Sequence, residues 1–252
     1  MTQKKTLKLP KLIGHRGVRD LCPENTLESI SKAFDFGLTY VEIDVKISKD
    51  GVPILLHDDT LDRTTNGTGI AVDFEYSHLK KLDAGQFFHN IKTNNFIPTL
   101  ADVLDLCKSR NGNLNIELKP NLNYEKINVH KILEATKDIK DIEIFYSSFD
   151  INSFIEISNI YINSNRSFLI DSFDEYSLTD LFSITKKYDA NICGLNRKII
   201  SKEIIDKIKD NDLKVTVYSE KNITKTEANE YFKIGVDSIF IDDPSELINS
   251  YN

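Results

Sequence analysis

His15 and His57 each end or follow an apolar run that reads as a strand, and Arg16 comes directly after His15. Glu42 and Asp44 stand two apart in the run 39–47, and Glu117 and Lys119 repeat that spacing in the run 115–119. Side chains two apart on a strand project from one face. Where strand ends converge, Glu42, Asp44 and Glu117 can meet at one point. Three hard oxygen donors there either repel one another or hold one hard divalent cation, Mg²⁺ or Ca²⁺, with Mn²⁺ also admissible. Such an ion screens the carboxylates and polarises a phosphoryl oxygen, and Arg16 and Lys119 suit the remaining anionic oxygens. Imidazoles take and give protons near neutral pH. Substitution at phosphorus needs both transfers, one at the attacking oxygen and one at the leaving oxygen. The combined chemistry is phosphodiester cleavage.

Each feature alone has a plainer reading. A strand-end histidine is commonly a hydrogen-bonded structural residue, and a Glu-x-Asp on a strand commonly belongs to a salt-bridge network. Gly67 and Gly69 suit backbone turns, since no Gly-Lys-Ser/Thr follows them. His78, His89 and His130 read as surface or partly buried residues, and Phe87-Phe88 as packing. The joint placement at converging strand ends is what singles the site out.

The elements that must converge can be read from periodicity. Residues 11–15 form a first strand, and Leu27, Ile30, Ala33 and Phe34 a helical face capped by Asn25 or Thr26 and stopped at Gly37. Residues 39–47 form a second strand, with a turn at Asp50-Gly51 before the extended run 52–56. Parallel neighbours need a crossover of about a dozen residues, so these two segments must form an antiparallel hairpin. The expected register sets His57 roughly opposite Asp44. Residues 58–98, with Gly67, Gly69, Gly85 and weak helical periodicity at 76–82, read as an insertion that walls or covers the strand ends. From residue 99 on, helical and extended patterns alternate. Outside the hairpin's return limb the strands number about eight, and no dinucleotide fingerprint follows the first. The expected fold is one α/β domain over residues 1–252, a (β/α)8 TIM-type barrel with a small insertion after the second-strand hairpin.

Composition limits the partners. A chain of 252 residues with 40% hydrophobic content can bury a sizeable core, and a net charge of −7 disfavours nucleic acid or an anionic membrane as main partner. Cys22, Cys107 and Cys193 show no metal-ligand spacing and are an odd number for disulfides. Buried thiols are expected, with Cys22 close enough to the site in sequence to be weighed as a reactive one. The basic N-terminal stretch lacks the apolar run of a signal peptide, and no segment approaches the roughly 20 apolar residues of a membrane span. The expectation is a cytoplasmic protein with a small-molecule substrate and no stable membrane insertion.

His15-Arg16-Gly17, Pro23-Glu24-Asn25-Thr26, Val41-Glu42-x-Asp44-Val45, Asp50-Gly51-x-Pro53, His57-Asp58-x-x-Leu61-x-Arg63-Thr64-Thr65 and Ile116-Glu117-Leu118-Lys119 occur in that order. This series resembles the glycerophosphodiester phosphodiesterase family. Weaker echoes run to Val215-Thr216-Val217-Tyr218 and to Gly235-Val236-Asp237-Ser238-Ile239 before Asp243-Pro244. The resemblance implies a phosphatidylinositol-phospholipase-C-like barrel of the soluble bacterial type that hydrolyses glycerophosphodiesters to sn-glycerol 3-phosphate and an alcohol. It implies His15 and His57 as the catalytic pair, Glu42, Asp44 and Glu117 as ligands of one divalent cation, and Arg16 and Lys119 as phosphate contacts. It further implies that the glycerol hydroxyl attacks first and water then opens a cyclic phosphate. Tyr218 stands where the family usually carries tryptophan, a smaller platform with a polar tip that alters the substrate pocket. Two alternatives remain at this point. One is a related barrel acting on lysophospholipids, with an apolar lid over residues 87–96. The other is a non-catalytic binding barrel, for which a histidine or acidic ligand should be missing; none is.

Overall fold

In a computed structural model, residues 7–251 are described; residues 1–6, within the basic N-terminal stretch, lie outside them. The strands are β1 (Leu12–Gly14), β2 (Tyr40–Ile47), β3 (Pro53–Leu55), β4 (Asn113–Leu118), β5 (Ile144–Ser148), β6 (Asn165–Ile170), β7 (Ile192–Asn196), β8 (Lys214–Tyr218) and β9 (Ser238–Ile241). The helices are α1 (Leu27–Asp35), α2 (Tyr76–Leu79), α3 (Gln86–His89), α4 (Leu100–Arg110), α5 (Glu125–Thr136), α6 (Ile151–Ile160), α7 (Leu178–Lys187), α8 (Lys202–Lys209), α9 (Lys225–Ile234) and α10 (Ile248–Tyr251). The sheet runs β1-β9-β8-β7-β6-β5-β4-β2-β3, and a β1–β2 pair at Gly14 and Val41 closes it. Every barrel pairing is parallel, and only β3 runs antiparallel, on β2. The expected (β/α)8 TIM-type barrel is present.

Strand alternation makes two cores. Val41, Ile43 and Val45 of β2, with Leu114, Ile116 and Leu118 of β4, face the helices in the large outer core. Ile13, Tyr40, Phe145, Ile192 and Phe240 fill the barrel interior. Above that plug the inward positions turn polar, and the site begins there. The helices that set strand order are well terminated. Thr26, Thr99, Ser177 and Thr224 cap α1, α4, α7 and α9 through their hydroxyls, the last three as capping boxes.

The hairpin has a physical basis in strand length. β1 pairs with β2 only at Gly14 and Val41, while β2 continues to Ile47. β3 takes up the edge this leaves, pairing at Val45–Leu55, Lys46–Ile54 and Ile47–Pro53. The register lies one residue from that expected: the Leu56 N–H donates to the Asp44 carbonyl at 3.2 Å, so Leu56 meets Asp44 and His57 is the next residue. Residues 58–98 depart further from expectation. They fold on a small core of their own, with Leu61, Ala71, Leu79, Ala84 and Ile97 packed on Ile54 and Leu56. Apolar burial against β3 holds the insertion beside the strand ends, so it neither lids nor walls the main pocket. The weak periodicity at 76–82 resolves into the single turn of α2.

Candidate active site

A cavity of about 390 Å³ opens at the C-terminal ends of the barrel strands, lined by residues on or just beyond each of the eight. His15 follows β1; Glu42 lies on β2; Asn115 and Glu117 lie on β4 and Lys119 follows it. Ser147 and Phe149 come from β5, Leu169 and Asp171 from β6, Asn196 from β7, Tyr218 from β8 and Phe240 from β9. His57 enters from β3, and no residue of 58–98 reaches the lining. In TIM-barrel enzymes this strand-end face is where active sites are built.

Three carboxylates meet as their spacing predicts. Asp44 and Glu117 are register partners on β2 and β4. One oxygen each from Glu42, Asp44 and Glu117 lies within 4.8 Å of the others, and all three residues are buried. Asp44 is gripped from several sides. Asn25 Nδ2 donates to its Oδ2 at 2.8 Å, and the Asp44 N–H donates to Asn25 Oδ1 at 3.1 Å. Arg16 Nε lies 3.2 Å from Oδ2 and Lys119 Nζ 3.6 Å from Oδ1. Burial pushes the Asp44 carboxyl up, but Arg16, Lys119, His57 and the Asn25 hydrogen bond outweigh it and hold the group well below the usual range. Glu42 goes the other way: burial, then Asp44 and Glu117, raise it well above its ordinary value. Its Oε2 accepts the Arg16 N–H at 2.9 Å, whereas Oε1 is buried with no hydrogen-bond partner among the described residues. An orphaned buried oxygen beside two further carboxylates fits a hard cation, which would take the place of a proton on Glu42.

The turn after β1 is held tightly. Arg16 and Gly17 both have positive φ, 53° and 87°, and a Cβ on Gly17 would collide with Ser29. Ser29 Oγ donates to the Arg16 carbonyl at 3.0 Å and accepts the Val18 N–H at 2.8 Å, fastening the turn to α1. The Arg16 guanidinium donates to Glu24 at 2.8 Å, and Glu24 also receives Arg63. Lys119 Nζ donates to Glu117 at 2.8 Å and stands 5.7 Å from the Phe149 ring centre. Both predicted phosphate contacts therefore lie at the pocket, each already paired with acids.

The two imidazoles are held alike. His15 Nδ1 lies 2.7 Å from Asp242 Oδ1, and Arg19 binds the same carboxylate through Nε at 2.7 Å and a terminal nitrogen at 2.9 Å. His57 Nδ1 lies 2.7 Å from Asp58 Oδ1, and Arg63 grips Asp58 through Nε at 2.6 Å and a terminal nitrogen at 3.0 Å. An ionised carboxylate only accepts, so each Nδ1 carries the proton and each Nε2 is left able to accept one. Burial is the main cause that lowers both imidazoles below the usual 6.5, with Asp242 and Asp44 respectively opposing it.

Tyr218 is on the wall, but its polar tip is occupied. Its hydroxyl donates to Asp171 at 2.9 Å with the Ile170 carbonyl at 3.1 Å, and its ring meets Phe149 edge to face at 5.3 Å. Cys22 is no reactive thiol: burial, then Glu28, push it up to about 11, while burial lifts Cys107 and Cys193 to about 12. The sequence reading missed Asp242, Asp58, Asn25 and Arg19 as supports of the reactive groups. Asp58 and Asn25 belong to the His57–Thr65 and Pro23–Thr26 motifs, and Asp242 is marked only by following the last strand, β9. The cap that could have been Asn25 or Thr26 is Thr26, which leaves Asn25 free to orient Asp44.

A closed barrel carrying this pocket at its strand ends defines a TIM-barrel enzyme. The Glycerophosphoryl diester phosphodiesterase family model matches residues 15–246. The chain belongs to that family of phosphoric diester hydrolases. It is 30% identical over 239 residues to the glycerophosphodiester phosphodiesterase of Caldanaerobacter subterraneus subsp. tengcongensis, covering 94% of this chain and 96% of the relative. To the Bacillus altitudinis glycerophosphodiester phosphodiesterase it is 30% identical over 249 residues, covering 95% and 97%. Among solved structures, an Oleispira antarctica phosphodiesterase in complex with its product sn-glycerol-3-phosphate superposes with a TM-score of 0.89 at 28% identity, covering 96% of both chains.

Proposed function

We propose that this protein hydrolyses glycerophosphodiesters to sn-glycerol 3-phosphate and an alcohol, with one divalent cation held by Glu42, Asp44 and Glu117. The observation that carries the reading is the meeting of those carboxylates, within 4.8 Å of one another, with two carboxylate-backed imidazoles at one pocket. The product complex of the Oleispira antarctica relative supports the same substrate class. Bound there, Mg²⁺, Ca²⁺ or Mn²⁺ would neutralise the carboxylates and polarise a phosphoryl oxygen. Arg16 and Lys119 bind the remaining anionic oxygens. One imidazole removes the proton of the glycerol hydroxyl as its oxygen attacks phosphorus, and the other protonates the departing alcohol. The roles then reverse: a water loses its proton as it opens the cyclic phosphate, and the ring hydroxyl regains one. Asp242 and Asp58 hold the rings in one tautomer throughout, and Tyr218 with Phe149 forms an aromatic wall for the substrate.

Residues 12–241 form one barrel domain, because β1 pairs with β9 and so joins the first and last strands of the barrel. Among the described residues no helix is long and apolar enough to cross a membrane. Three buried free thiols suit a reducing compartment, which supports a cytoplasmic location. A lysophospholipid substrate finds no support at the pocket, since no residue of 87–96 lines it. Glycerophosphocholine and glycerophosphoethanolamine are therefore expected to release sn-glycerol 3-phosphate at least tenfold faster than lysophosphatidylcholine releases choline. Steady-state assays of the three compare these directly, and a preference for the lysophospholipid would reverse the assignment.

A further inference from the structure

Lys46 continues the inward alternation of β2, two residues past Asp44 and four past Glu42. Its side chain is completely buried. A buried ammonium must find acceptors for its three protons. Nζ lies 3.2 Å from the His57 carbonyl, 3.3 Å from the Lys119 carbonyl and 3.2 Å from Asp59 Oδ1. Two of these three acceptors are main-chain atoms of residues whose side chains line the pocket.

Each of those residues stands just past the end of its strand. The β2–β3 ladder stops at Val45–Leu55, with one more bond from the Leu56 N–H to Asp44, before the chain turns into the insertion. Asp58 fixes the His57 ring, but that carboxylate belongs to the same turn as the ring it holds and is itself gripped by a half-exposed Arg63. The Lys46 ammonium reaches His57 from the barrel wall instead. Packing does not account for a lysine here, because an apolar chain of similar length would fill the space without desolvating a charge. Hydrogen bonds to two carbonyls from different strands do account for it.

We propose that Lys46 is a positioning residue that clamps the main chain of His57 and Lys119 together, setting the imidazole relative to the ammonium that meets the phosphate. The proposal rests on the reaction assigned above. The test is Lys46→Met in the full-length protein, read by kinetics and by NMR of ¹⁵N-histidine-labelled protein. Displacing a reacting group by about 1 Å costs on the order of 100-fold, and kcat should fall by that order. The His57 Nδ1–H resonance should shift or broaden while that of His15, held by Asp242 just past β9, stays as in the wild type. A wild-type kcat overturns the proposal. So does an undisturbed His57 signal, or an equal disturbance of both imidazoles, which would mean that the barrel had merely loosened. Should Lys46→Met not fold, Lys46→Gln, whose amide still donates, should give a smaller effect in the same direction on both measures. If the wild type cleaves no glycerophosphodiester, the reaction assignment falls, and the NMR comparison alone decides the role of Lys46.

Discussion

Replacing His15 or His57 by alanine is expected to cut kcat for a glycerophosphodiester by about 100- to 10,000-fold, the range associated with losing a positioned acid or base. The barrel should survive both changes. Each imidazole bonds outward to a carboxylate that keeps an arginine partner, Arg19 for Asp242 and Arg63 for Asp58. Neither substitution therefore strands a buried charge. The pH profile gives a second readout with a definite sign. Burial lowers both imidazoles below 6.5 in the free protein. A general base must be unprotonated, so on the acid side kcat/KM should fall only as pH drops through the depressed value of that imidazole, and on the alkaline side it should fall as the partner loses its proton. The partner acid must hold a proton, and the anionic diester favours that charge when it binds. Wild-type kcat in either alanine variant, with an unchanged profile, would remove that histidine from the chemistry.

The second large effect belongs to the carboxylates. Asp44→Asn and Glu117→Gln keep size and shape while removing charge and one ligand oxygen, and each is expected to lower activity at fixed Mg²⁺ by 100-fold or more. The physical reason is the balance within the cluster. In the free protein Glu42 is driven up by burial, Asp44 and Glu117, while Asp44 is held down by Arg16 and Lys119 against its own burial. A cation competes with the proton on Glu42, so affinity should increase with pH as that carboxyl ionises. Raising the cation concentration should restore part of the activity of Glu117→Gln, because a ligand weakened is not a ligand abolished. Asp44→Asn should recover less: it removes the negative charge that Arg16 and Lys119 share, leaving them Glu24 and Glu117, and weakens the acceptor of Asn25 Nδ2. Equal activity of both variants and the wild type at limiting cation would contradict the ligand assignment, and titration of activity against Mg²⁺ measures this.

Much of the site could be read from residue order because strand geometry is periodic. Glu42 and Asp44 on β2, and Glu117 on β4 with Lys119 just beyond it, share inward faces by alternation alone. Connection length forced the β2–β3 hairpin before any register was known. The residues that escaped were those whose partners depend on closure. His15 and Asp242 are 227 positions apart and meet only because β1 pairs with β9. Nothing local distinguishes Asp242 from its neighbour Asp243. The one-residue difference at His57 arose because a turn at Asp50-Gly51 does not by itself determine pairing register. The insertion departs from the expected lid or wall for a related reason. Its apolar residues are too scattered to show a periodic face, yet they suffice for a small core on β3. Lys46 was hidden by its neighbours, since a lysine on a strand reads as solvent-facing until the barrel closes over it.

The most direct test of the central claim is sn-glycerol 3-phosphate release from glycerophosphocholine by the wild-type protein, first stripped with chelator and then supplied with Mg²⁺, Ca²⁺ or Mn²⁺. Release should disappear on stripping and return with at least one of the three ions. Full release after thorough chelation would contradict the account, as would no release with any of the ions.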